Sequence, residues 1–152
     1  MNRKYQIAGH LFEVCGEKLC EAVARIEGFR PFEVAEGEPV FGFQEGKVTD
    51  VPEMATVEYT LEYEGVKGTF GRTAEGFRLN LQPETEGAFD VWCREEETVV
   101  YLGGNWSVLL YRFALWVAYG LMTLQRDTLA IHSSCIVYQG KAVLFLGESG
   151  TG

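Results

Sequence analysis

The residues best placed to do chemistry lie in "AVLFLGESGTG", Ala142 to Gly152. An apolar run, Val143 to Leu146, leads directly into Gly147, Glu148, Ser149, Gly150, Thr151 and Gly152, which match the first six places of the phosphate loop G-x-x-x-x-G-K-[ST]. Glycines in such a loop allow positive φ and close approach, so consecutive backbone N–H groups converge on phosphate oxygens, and the N-terminus of a following helix faces the same anion. The Lys that neutralises the β and γ phosphates and the hydroxyl that holds Mg2+ are not among the 152 residues. Two readings stay open, a nucleotide loop and a flexible glycine-serine tail; the strand character of residues 143–146 favours the first.

Other reactive side chains are sparse. His132 lies in "LAIHSSCIV" and is either a hydrogen-bonded strand residue or a candidate catalytic group. Ser133 and Ser134 follow it with no assignable base partner, and a Ser-His pair adjacent in sequence points to opposite faces of a strand, which disfavours a hydrolase dyad. Cys135 reads as core. The four cysteines contain no C-x-x-C spacing, and two scattered histidines, His10 and His132, do not complete a zinc set, so no metal site is expected. Glu95, Glu96 and Glu97 after Arg94 form the only acidic run and read as a solvated turn.

"LAIHSSCIVYQGKAVLFLGESGTG" resembles the opening of the kinase domain of the HPr kinase/phosphorylase-like proteins, relatives of ATP-dependent phosphoenolpyruvate carboxykinase. The matching residues are His132, Ser133 and Ser134, then Gly140, then Gly147, Ser149, Gly150 and Gly152, within about the last 24 residues. The resemblance implies a P-loop serine or small-acceptor kinase that uses ATP and Mg2+. It places Gly147 to Gly152 around the phosphates and His132 on a strand beside them. It also implies a chain cut within the loop, inactive as it stands, with a phosphoacceptor and both cofactors engaged only by the longer protein.

These residues need elements to position them. "TVEYTLEYE", Thr56 to Glu64, alternates Val57, Tyr59, Leu61 and Tyr63 against Glu58, Thr60, Glu62 and Glu64, the mark of a strand with one wet face. "GFRLNLQ" repeats the pattern, and further strands are expected over 5–8, 11–14, 39–43, 67–72, 88–93, 98–102, 129–138 and 142–146. Leu19, Ala22, Val23 and Ile26 have helical spacing and close on Gly28. "WSVLLYRFALWVAYGLMTL", Trp106 to Leu124, predicts a long helix with Asn105 as N-cap, ending near 125–127 and covered on most sides. The expected architecture is α+β: an antiparallel meander with one short and one long buried helix over 1–127, then a hairpin leading into the partial P-loop over 128–152.

Hydrophobic residues make up 47% of the chain and aromatic residues 13%, enough for a folded core. Twenty-two acidic against thirteen basic residues give a net charge of −9, which disfavours nucleic acid and anionic membrane surfaces as partners. Arg112 sits within the long apolar stretch and no basic cluster flanks it, so a core or interface helix is preferred over a membrane span. With no h-region at the start, a cytoplasmic chain is expected. The alternative to a kinase fragment is a non-catalytic recognition or oligomerisation module, self-associating through helix 106–124 and carrying a remnant loop.

Overall fold

The computed structural model describes residues 1–131 and 133–147. The chain is α+β and is dominated by one nine-stranded sheet in the order β3-β1-β2-β4-β9-β8-β7-β6-β5. Its strands are β1 (Asn2–Ile7), β2 (His10–Cys15), β3 (Glu33–Val34), β4 (Phe41–Glu45), β5 (Thr56–Tyr63), β6 (Val66–Arg72), β7 (Gly76–Pro83), β8 (Phe89–Arg94) and β9 (Val99–Gly104). The helices are α1 (Glu17–Ala24) and α2 (Val108–Leu124). β10 (Ser134–Tyr138) and β11 (Lys141–Phe145) form a separate two-stranded sheet.

The expected all-antiparallel meander holds only from β5 to β9. β4 runs parallel to both of its neighbours, with Phe12 opposite Phe41 and Phe43 opposite Val100. The cause is α1, which carries the chain back over the sheet after β2, so that the next strand enters in the same direction.

One face of this sheet is dry. Alternate residues Tyr5, Phe12, Val14, Phe41, Phe43, Val100, Leu102, Phe89, Val91, Leu79 and Leu81 are all buried there. They meet Leu19, Cys20, Ala22 and Val23 of α1, and Leu110, Tyr111, Ala114, Leu115, Ala118 and Met122 of α2. Phe12 lies at the centre, its ring 5.4 Å from both Phe41 and Phe43 and 5.7 Å from Tyr119 of α2. Burying one such ring contributes about 2–3 kcal/mol.

α2 begins two residues later than the sequence suggested. Ser107, not Asn105, is the N-cap, its hydroxyl accepting the Leu110 N–H at 3.5 Å. Asn105 is engaged by the β7–β8 turn: its amide donates to Glu86 Oε2 at 2.8 Å and its backbone N–H to the Ala88 carbonyl. At the other end the Arg126 guanidinium donates to the Met122 carbonyl (2.7 Å) and the Val40 carbonyl (2.9 Å) and lies over the Phe41 ring. A cation there satisfies a terminal carbonyl and opposes the helix dipole while tying α2 to the sheet. Tyr119 donates to the Ile7 carbonyl, and His10 Nε2 lies 2.8 Å from Thr128 Oγ1, completing the seam.

The helix is buried on one side only. Val108, Leu109 and Trp116 are exposed, so the expected cover on most sides is not met by this sheet. Among the described residues, no helix is long and apolar enough to cross a membrane.

Candidate functional site

Two places hold the chemistry-bearing groups. The first is the β10–β11 hairpin. Its ladder runs from Ser134 opposite Phe145 to Tyr138 opposite Lys141, which confines the turn to Gln139 and Gly140. Both have positive φ, 49° and 73°, the two-residue geometry that matches the twist of the flanking strands. β11 then delivers the chain to Leu146 and Gly147, both exposed. Strand structure starts at Ser134, so the strand expected from residue 129 is shorter than its pattern suggested. Cys135 is exposed rather than core, because every residue of both strands is exposed. The other residues expected to act here, His132 and Glu148 to Gly152, lie outside the described residues; of the expected nucleotide-binding set only Gly147 lies within them.

The second place is a cleft on the sheet face opposite α2. Its foundation is Asp90, buried on β8, whose Oδ1 accepts from Arg78 Nε at 2.8 Å and from Asn80 Nδ2 at 2.9 Å and forms an ion pair with Arg78 Nη2 at 2.8 Å. Two hydrogen bonds and an ion pair on one oxygen offset the burial of the carboxylate. Arg78 Nη1 also donates to the Pro52 carbonyl, so this network pins the segment between β4 and β5 onto the polar face of the sheet.

That segment walls a cavity of about 490 Å³ whose lining includes Asp50, Glu53, Glu75, Trp92, Arg94 and Tyr101. Trp92 and Tyr101 stack with centroids 5.7 Å apart and planes at 19°. A side chain at Gly46 would overlap the Trp92 ring, so glycine is what lets the loop close over the indole. Arg94 is occupied by Glu75 (3.0 Å) and Glu97 (3.5 Å). Asp50 accepts from the Thr49 hydroxyl, and Glu53 has no ion-pair partner among the described residues. The lining carries three carboxylates against one guanidinium, beside an aromatic pair. Such a wall is suited to holding a cation or a flat polar group.

No known family model, curated protein or solved structure matches this chain.

The cleft lining also includes Cys93, whose thiol burial pushes up to about 11, with Glu97 adding to the effect. A thiol so protonated is a poor nucleophile at neutral pH. Cys15 stands at about 11 for the same first cause, desolvation, and the Cys20 thiol is raised too. No group of three or more metal-ligating side chains is found among the described residues. The Glu95–Glu97 run is a turn after β8, as its composition indicated, with Glu97 folded back on Arg94.

The cleft is not foreshadowed by any motif in the sequence. It is assembled from the 50–53 segment, the β6–β7 turn and the β8–β9 pair, three pieces separated from one another by whole strands. One signal was available: in "FDVWCR" the bulky Trp92 occupies the same alternating set as Asp90 and Arg94, on the polar face.

Proposed function

We propose that the β10–β11 hairpin opens a nucleotide-binding domain of the carboxykinase-like P-loop type, and that residues 1–127 form a module set before it. On this reading the chain is the front portion of an ATP-dependent kinase whose phosphoacceptor is a serine-bearing protein or a small molecule. The observation that carries it is the hairpin: a separate sheet, apolar on both faces through Ile136, Val137, Val143, Leu144 and Phe145, delivering its second strand to Gly147. Two isolated strands are marginal in water, whereas the same strands inside an α/β domain are covered on both sides. Gly147 to Gly152 would wrap the phosphates and His132 would stand beside them, while ATP and Mg2+ would need the Lys and hydroxyl that complete the motif.

The test is to read the gene beyond the Gly152 codon, express the product and titrate it with ATP by calorimetry. Lys followed by Ser or Thr, with Mg2+-dependent ATP binding, is the expected outcome. A product that binds no ATP in the presence of Mg2+ overturns the reading.

A second reading, a recognition or oligomerisation module without chemistry, is favoured by the exposed Val108, Leu109 and Trp116 on α2. Light scattering distinguishes it: a concentration-dependent dimer lost in Leu109→Lys supports self-association through α2, and a strict monomer at high concentration removes it.

A further inference from the structure

The two ends of the nine-stranded sheet are treated differently. At one end β3 is only two residues long, too short to template another chain. At the other, β5 is eight residues long and, among the described residues, pairs only with β6. A register shift between Val57 and Tyr59 disturbs the first part of β5, and from Tyr59 to Tyr63 the ladder is regular. An edge strand turns the N–H and C=O groups of alternate residues outward, so this stretch offers a row of unpaired backbone.

The two faces of that edge differ sharply. Tyr59, Leu61 and Tyr63 lie on the α2 side, opposite Phe70, Gly68 and Val66 of β6. Tyr59 is 63% exposed and Tyr63 55%. Tyr63 stacks on Phe113 of α2 at 6.5 Å, and Leu61, Tyr63, Val66, Leu109 and Phe113 surround an apolar notch between helix and sheet. The opposite face carries Glu62 and Thr60, with Glu58 at the bulge, while Glu64, Glu84 and Glu86 in the turns at the far end line a pocket with Ser107 and Leu109 at the start of α2. On the β6 side of this acidic row stand Lys67, opposite Glu62 in the ladder, and Arg72, held by Glu58 at 3.1 Å.

A second copy is a poor fit. Antiparallel self-pairing that keeps the aromatic faces together sets the Glu58–Glu62 row against its own copy, and like charges directly opposite are destabilising. A net charge of −9 per chain adds to the repulsion.

We propose that the Tyr59–Tyr63 edge receives an extended segment of a partner polypeptide in which apolar residues alternate with Lys or Arg. The segment adds a tenth strand: its backbone pairs with β5, its apolar side chains cover Tyr59, Leu61 and Phe70, and its cations face Glu58 and Glu62. The inference is independent of the phosphate loop and of the kinase reading.

The probe is a fluorescent eight-residue peptide of alternating Val and Lys, titrated into the 152-residue chain by anisotropy. Binding is expected to weaken at least tenfold for a block-sequence peptide of the same composition and for an alternating Val/Glu peptide. It should also weaken for one of the two peptides N-methylated on alternate residues, because one such set blocks the pairing edge. Tyr59→Lys and Glu62→Gln, each still folded by circular dichroism, should weaken the alternating peptide severalfold, and amide shifts should centre on Tyr59 to Tyr63. Equal binding of block and alternating peptides, or no change in either variant, overturns the proposal. No binding at all does so too, as does a dimer that Tyr59→Lys dissolves, which would give the edge to a second copy.

Discussion

Strands β1 to β9 and the β10–β11 hairpin draw on the same residues, Val, Leu, Ile, Phe and Tyr, and end in opposite surroundings. Phe12, Val14, Val100 and Leu102 are fully buried under two helices, while Ile136, Val137, Val143 and Phe145 lie open to water. Propensity makes both into strands; among the described residues only the first set finds a partner layer. The difference teaches that apolar strand content reports what a segment is suited to, and that a second layer decides whether suitability becomes stability.

Substitutions separate the two regions most widely. Phe12→Ala is expected to destabilise the 152-residue chain by about 3–5 kcal/mol, because the surrounding rings cannot collapse onto the void. Val143→Ala in the hairpin should cost less than about 0.5 kcal/mol. Urea unfolding measures both, and comparable costs would mean that the hairpin is packed on the main sheet, dissolving the contrast.

A smaller effect comes from pH. The Cys93 thiol stands at about 11 in the fold against an ordinary 9.0, so the folded state holds its proton more tightly than the unfolded state. Its stabilising contribution is complete below pH 9 and fades as pH rises from 9 to 11, by roughly 2 kcal/mol at the upper end. In Cys93→Ala that part of the decline should vanish, while Cys135→Ala, in the exposed hairpin, should leave the profile unchanged. A decline of the same depth in Cys93→Ala would assign it to other groups.

The smallest effect tests the start of α2. Ser107→Ala should cost about 0.5–1 kcal/mol, and Asn105→Ala should act through the β7–β8 turn instead. Hydrogen exchange tells them apart: loss of the cap speeds the first-turn amides of α2, and loss of the Asn105–Glu86 bond speeds residues 84–88. Accelerated first-turn exchange in Asn105→Ala alone would restore Asn105 as the cap.

Much of the fold was legible because the patterns are local. Alternation in "GFRLNLQ" and helical spacing of Leu19, Ala22 and Val23 depend on neighbours in the chain, and the corresponding elements are present, although α1 stops at Ala24, short of the expected Ile26 and Gly28. Where pairing is non-local the reading faltered. Nothing near Phe41–Glu45 says that β4 will lie parallel between β2 and β9. The strict alternation of Thr56 to Tyr63 also conceals the register shift that pairs Val57 with Gly71 while Tyr59 pairs with Phe70. β5 satisfies the pattern of a half-buried strand and is nonetheless an exposed edge. The cleft was illegible for the same reason, since Asp50, Glu75, Trp92 and Tyr101 meet only after the sheet has formed.

The position of β4 also sets an order of events as the chain is made. β5 to β9 close by short turns between sequence neighbours, but β4 waits for β9, with Phe43 opposite Val100. At about 5–20 residues per second, some 3–10 s separate the synthesis of β4 from that of its second neighbour. Throughout that interval Phe12, Phe41 and Phe43 have neither α2 nor β9 above or beside them. The aromatic cluster that holds the finished molecule together is therefore the surface that a ribosome-associated chaperone would meet first.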